Sequence, residues 1–208
     1  MDGPAEHRAI DHLLYGAPDL DEGMDRIERL LGARPVPGGR HPSYGTRNAI
    51  LALGPACYLE VIAPDPRLPT PVRGVGFGLE GLDVPRLVTW AMRHPEIETA
   101  AGRAGLGVVH EGRRERGDGT VLAWKMTDPY TERMGGVIPF LIDWGDTPHP
   151  ASSAPSGGRL LEFRLEHPSP EQVRDVLMGL DSEVDVGRGG EPRLVALVET
   201  KHGTAELA

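Results

Sequence analysis

A single cysteine, Cys57, stands in 208 residues. No intramolecular disulfide can staple the fold, and one thiol within an apolar strand pattern reads as a small buried hydrophobe rather than a nucleophile. Long apolar runs are missing too, since no stretch approaches the roughly 20 apolar residues that a membrane span requires. Residues Met1 to Arg8 show neither a basic start with an apolar core nor an Arg/Ser-rich amphipathic pattern. Export and organelle import are therefore not indicated, and a cytoplasmic location is the default. Lysine is scarce, with only Lys125 and Lys201, and the arginines are scattered. A net charge of −9 opposes the attraction to phosphate backbones that drives nucleic-acid binding. A soluble chain remains, long enough for one substantial core or two small packed domains.

Helical spacing is present three times. Leu20, Met24, Ile27 and Leu31 follow Asp19 and precede Gly32, predicting a helix over 20–31. Val84, Leu87, Val88, Ala91 and Met92 follow Asp83 as cap with Pro85 in the first turn and stop at His94-Pro95, predicting a second. Val173, Val176, Leu177 and Leu180, after Ser169-Pro170-Glu171, predict a third. Each follows a strand-like run (9–15, 75–79 and 160–165) and precedes further strand patterns: 48–53 with 58–62, 121–126 with 137–142, and 194–198 with 204–207. One supersecondary unit thus repeats over 7–64, 73–145 and 159–208. Arg47–Glu60 aligns without a gap on Arg193–Glu206, superposing Arg47 on Arg193, Leu51 on Leu197 and Glu60 on Glu206. The proline-rich stretch 63–71 reads as an extended connector, and 146–158 as a mobile linker. Gly102 to Gly119 reads as a short strand followed by an exposed hairpin or loop.

Two polar residues sit where strands should be buried: His12 in Ile10-Asp11-His12-Leu13-Leu14-Tyr15 and Glu60 in Cys57-Tyr58-Leu59-Glu60-Val61-Ile62. Burying either without a partner costs about 1–3 kcal/mol. Between them run the first helix and the Gly-rich segment Gly38 to Asn48. That order of strand with His, helix, loop, strand and strand with Glu resembles the βαβββ unit of the vicinal oxygen chelate superfamily, in its glyoxalase-like domain branch. The resemblance implies an α+β fold: repeated βαβββ units forming a curved mixed sheet, a half-barrel cleft, with helices on the outer face. It implies a glyoxalase-like domain over 1–145, built from the paired units 7–64 and 73–145, with a third βαβββ-like unit over 159–208.

The resemblance also implies that His12 and Glu60 are metal ligands for Zn, Fe, Mn, Ni or Co, a Lewis acid for an enolate or similar oxyanion. Further ligands should come from a partner unit. There, Gly76, Phe77 and Gly78 stand where a ligand is expected, which leaves Asp143 and, from the third unit, Glu206, with Glu162 matching His12. His41 is the candidate base or auxiliary ligand, and Asn48, Tyr44 and Trp124 are candidate substrate contacts, with Trp144 as a further wall. Structural readings stand beside these: His12 and Glu60 as a hydrogen-bonded core pair, His41 and Tyr44 as packing, Asn48 as a turn cap, and the tryptophans as core. The other histidines, His149 among them, read as solvated. No serine elbow, cysteine pair or phosphate loop is present. The activity implied is a metal-assisted lyase, isomerase or dioxygenase on a small oxygen-rich substrate. The alternative is a metal-free sequestration-type binder using the same cleft. The expected partners are a small-molecule ligand and a second copy in a homodimer.

Overall fold

The computed structural model describes residues 9–115 and 121–208. Strand β1 (Ile10–Gly16) leads into helix α1 (Leu20–Leu31), the helix its spacing predicts. The Asp19 carboxylate accepts from the backbone N–H groups of Asp21 and Glu22 at 2.9 and 3.2 Å, a cap worth about 1 kcal/mol. Gly32 ends the helix in the left-handed region at φ 70°. Leu20, Met24, Ile27 and Leu31 form its buried stripe. Strand β2 (Val36–His41), a single 3-10 turn at Pro42–Tyr44, β3 (Thr46–Gly54) and β4 (Cys57–Pro64) complete the first unit. The Gly-rich segment expected as a loop is thus partly strand: β2 pairs with β3, placing Gly39 opposite Asn48 and His41 opposite Thr46.

The second unit departs from expectation. Residues 84–92, predicted as helix, contribute to strand β5 (Arg86–Arg93), and 75–79, predicted as strand, fall in the irregular segment between β4 and β5. The physical reason is burial on both faces: Leu87 to Met92 are all buried, and such a continuous apolar run matches helical spacing as readily as strand spacing. The helix of this unit is α2 (Ile97–Ala104), which Pro95 precedes. Strands β6 (Val109–Glu115), β7 (Val121–Thr127) and β8 (Phe140–Asp143) follow. The tip of the expected 102–119 hairpin lies outside the described residues.

Among the described residues, eight strands form one curled, mixed half-barrel sheet in the order β2-β3-β4-β1-β5-β8-β7-β6. Its centre is β1, parallel to β4 and antiparallel to β5. The third stretch supplies β9 (Arg159–His167), the predicted helix as α3 (Pro170–Met178), β10 (Asp185–Arg188), β11 (Arg193–Thr200) and β12 (Gly203–Leu207). These strands make a separate sheet in the order β10-β9-β11-β12. The segment 146–158, expected as a mobile linker, is laid against β3: Ala52 N–H donates to Pro155 O and Gly157 N–H to Ala52 O, both at 2.8 Å.

One apolar core joins α1, α2 and the second sheet to one face of the large sheet. Trp90 of β5 stands in it, donating Nε1–H to Val137 O at 2.8 Å and meeting Phe163 of β9 edge-on at 5.3 Å. Gly23 sits mid-helix in α1, where a Cβ would lie 2.7 Å from Val61 and 2.8 Å from Ala17. Its missing side chain is what lets α1 approach β4 so closely. On the opposite, concave face a second cluster gathers Leu14, Ile62, Ala91 and Phe140 with Phe77, Leu79 and Leu82 from the irregular segment. No helix among the described residues is long and apolar enough to cross a membrane.

Candidate functional site

Strand alternation places His12, Asn48 and Glu60 on the concave face, along β1, β3 and β4. The register pairs His12 with Tyr58 and Leu14 with Glu60, and Asn48 with Ile62. His12 Nε2 and Glu60 Oε2 are 3.4 Å apart, Asn48 Nδ2 donates to Glu60 Oε1 at 2.7 Å, and the Tyr58 ring stacks on the imidazole at 4.4 Å. These groups line a cavity of about 50 Å³, room for an ion or a water or two. His41, Tyr44 and Trp124 line the same cavity, with Phe77, Phe140 and Trp144 among its apolar wall. His41 Nδ1 is 3.0 Å from Thr46 Oγ1, Tyr44 meets Phe77 edge-on at 5.9 Å, and Trp124 packs against Trp144 at 5.6 Å. Seven sequence candidates therefore converge: His12, His41, Tyr44, Asn48, Glu60, Trp124 and Trp144.

Asp143 and Glu206 do not join them. Asp143 lines an open groove on the far side of Trp124 and Trp144 and accepts from Gly145 N–H at 2.9 Å. Glu206 lies in the other sheet, half exposed, 3.4 Å from Arg193. Glu162 is in that sheet too, 3.4 Å from Arg164. With β5 as the first strand of the second unit, the residue opposite His12 is Ala91, and Phe140 lies opposite Ala91 on β8. The second unit thus contributes apolar side chains where ligands were sought at Gly76–Gly78.

Sequence reasoning passed over Asp11. A bulge in the β1–β5 pairing falls between Ile10 and His12, and it breaks the alternation that would point neighbouring side chains to opposite faces. Asp11 is fully buried, yet its carboxylate is 2.8 Å from His12 Nδ1 and accepts from Trp144 Nε1 at 3.1 Å and Arg93 Nη2 at 2.9 Å. His149 Nε2 stands 3.2 Å away, so His149, expected in solvent, is tied to the site. Burial alone would raise the Asp11 pKa, but hydrogen bonds and charge from His12 and His149 hold it well below the usual carboxylate range. The available signal was an aspartate inside an apolar run, subject to the same desolvation argument as its neighbour; strict alternation hid it. Cys57, expected as a buried hydrophobe, is only partly buried, but desolvation by its surroundings pushes the thiol up to about 12.

An ionised carboxylate only accepts, so His12 Nδ1 carries a proton and donates it to Asp11. In a neutral ring, Nε2 then turns its lone pair toward Glu60. Two donors each about 2.1 Å from a tetrahedral ion stand about 3.4 Å apart, matching the Nε2–Oε2 gap. A ligating histidine whose other nitrogen donates to a carboxylate is the usual outer arrangement at metal centres. The pair therefore fits two positions around a divalent ion. No third His, Cys, Asp or Glu joins it among the described residues.

A family model described as a glyoxalase-like domain matches residues 10–180. Among curated proteins, none matches the chain. Among solved structures, a methylmalonyl-CoA epimerase in complex with methylmalonyl-CoA and NH4+ is 19% identical, covering 68% of this chain and 98% of that one, with a TM-score of 0.45. The methylmalonyl-CoA epimerase from Mycobacterium tuberculosis is 21% identical over 70% of this chain and 93% of its own, at 0.44. A mutant 4-hydroxymandelate synthase from Streptomyces coelicolor is 17% identical over 96% of this chain and 62% of its own, at 0.47.

Proposed function

Since the chain belongs to the glyoxalase-like domain family, within the vicinal oxygen chelate superfamily, we propose that it is a metal-assisted enzyme of the lyase, isomerase or dioxygenase kind. Its substrate is a small oxygen-rich molecule whose reacting oxygens enter the concave cavity, which must widen to take the rest of it. The supporting observation is that His12 Nε2 and Glu60 Oε2 face each other at 3.4 Å with Nδ1 already committed to Asp11. His12 and Glu60 would hold a divalent ion of the Zn, Fe, Mn, Ni or Co class, with the remaining positions left to substrate oxygen or water. Such an ion supplies Lewis-acid polarisation of a substrate oxygen. Asp11 fixes the tautomer and aim of His12, and Asn48 Nδ2 holds the Glu60 carboxylate in place. Phe77, Phe140 and Trp144 exclude water from the reacting end, Tyr44 and Trp124 flank the substrate, and His41 takes or returns a proton. The protein works in the cytoplasm as a homodimer, which sedimentation tests: only monomer at micromolar concentration removes the dimer.

Metal analysis of tag-free protein tests the main reading. Bound divalent ion, or a rise in Tm with one of these metals that His12→Ala abolishes, is the expected result. No bound ion and no shift with any of them would overturn it.

A second reading, a metal-free small-molecule binder, is favoured by the apolar half of the cavity, where Ala91 and Phe140 face His12. Ligand hits that persist in chelator and survive His12→Ala would select it. Loss of every hit in that variant would reject it.

A further inference from the structure

A second hollow, of about 410 Å³, opens beside β5, with Phe77 shared between its wall and that of the His12 cavity. Arg133 in its wall is 7% exposed. Its Nη1 and Nη2 donate to the carbonyls of Asp128 and Pro129, both at 3.2 Å, its Nε has no partner, and no carboxylate stands in ion-pair range of it among the described residues. A buried guanidinium hydrogen-bonded only to neutral carbonyls, with the Phe140 ring 6.0 Å away and the Asp128 and Glu132 carboxylates acting on it only from beyond ion-pair range, carries charge that is incompletely offset. Burial lowers its pKa to about 10, a mark of that cost. Thr89 Oγ1, 1% exposed on the same wall, also lacks a partner.

The backbone is arranged to keep Arg133 there. Met134, Gly135 and Gly136 take φ of 52°, 71° and 94° in succession, and a Cβ on Gly136 would fall 1.9 Å from Val88 O. The methionine in the left-handed region costs about 1 kcal/mol. The other charged groups of the hollow are accounted for: Arg73 pairs with Asp128 at 2.9 Å, Glu80 Oε1 accepts from Val75 N–H at 3.0 Å, and Glu132 Oε1 accepts from Gly135 N–H at 3.1 Å. Arg86 is exposed on the rim.

We propose that this hollow binds a small oxyanion, a phosphate or carboxylate group, which pairs with the Arg133 guanidinium and accepts from the Thr89 hydroxyl. Arginine suits either group, since its planar fork matches both. The site does not depend on the function proposed for the His12 cavity.

Titrating the full chain with inorganic phosphate and with succinate, against sodium chloride at matched ionic strength, tests it. The readouts are Tm and the Arg133 Nε–H resonance. A saturable shift of that resonance with a rise in Tm is expected. Response to phosphate alone assigns a phosphoryl group, and response to succinate alone a carboxylate. Thr89→Val removes an unpaired hydroxyl at nearly constant shape, so Tm in plain buffer should hold or rise while affinity drops roughly 10-fold. Arg133→Lys should lose the response, and His12→Ala should keep it. No saturable response to either anion, an equal effect of chloride, or unchanged affinity in Thr89→Val would overturn the site.

Discussion

Asp11 Oδ1 and His12 Nδ1 stand 2.8 Å apart, neighbours in sequence whose side chains meet because the β1 bulge sets them on the same side of the sheet. Asp11→Asn should weaken divalent-ion affinity about 10–100-fold, as loss of an outer-shell carboxylate does. Calorimetric titration of wild type and variant measures this. An unchanged dissociation constant would show that His12 is oriented by something else.

The same carboxylate predicts an acid limb in stability. Its folded pKa is depressed, so its contribution is full above the ordinary carboxylate pKa of about 3.9 and is lost as pH falls below that value. Urea unfolding at stepped pH should show a steeper loss below about pH 4 in wild type than in Asp11→Asn. Asp11→Ala at neutral pH strands Arg93, His12 and His149, and should cost about 3–5 kcal/mol.

Gly23→Ala should run against helix propensity. Propensity alone offers about 1 kcal/mol of gain. The added methyl would meet Val61 at 2.7 Å and Ala17 at 2.8 Å, and overpacking of this kind costs about 1–3 kcal/mol. A lower midpoint in urea is the expected result.

Phe163→Ala should destabilise the whole chain by about 3–5 kcal/mol. Phe163 meets Trp90 at 5.3 Å across a core that both sheets share. Fluorescence and far-UV signals should still fall in one transition. Two separated transitions would mean that the third unit folds on its own.

Cys57, with its thiol pushed up to about 12, should resist thiol reagents at pH 8 in the native protein and react at once after denaturation. Rapid native labelling would contradict that raised pKa.

Much of this was legible in the sequence where spacing and burial agree. Helix α1 was readable to its ends because Asp19, the stripe from Leu20 to Leu31 and Gly32 all give one answer. His12, Asn48 and Glu60 could be placed together because each is a polar residue in a strand pattern that keeps alternation, although β1, β3 and β4 are buried on both faces. The same rule failed where strands depart from it. Leu87 to Met92 are buried throughout, so they show no alternation, and helical spacing fits them by accident. Asp11 sits at a bulge, which depends on pairing with β5 and leaves no local mark. The seating of His149 against Asp11 is a contact across 138 positions, beyond the reach of periodicity.

The Asp11 carboxylate gathers two kinds of partner. Its histidine neighbour is joined to it along the central strand, whereas Trp144 and His149 arrive on the segment after β8, which makes no ladder with β1 and is held against β3. A guest larger than the chamber should thus displace that segment first, with the His12 imidazole left where it stands.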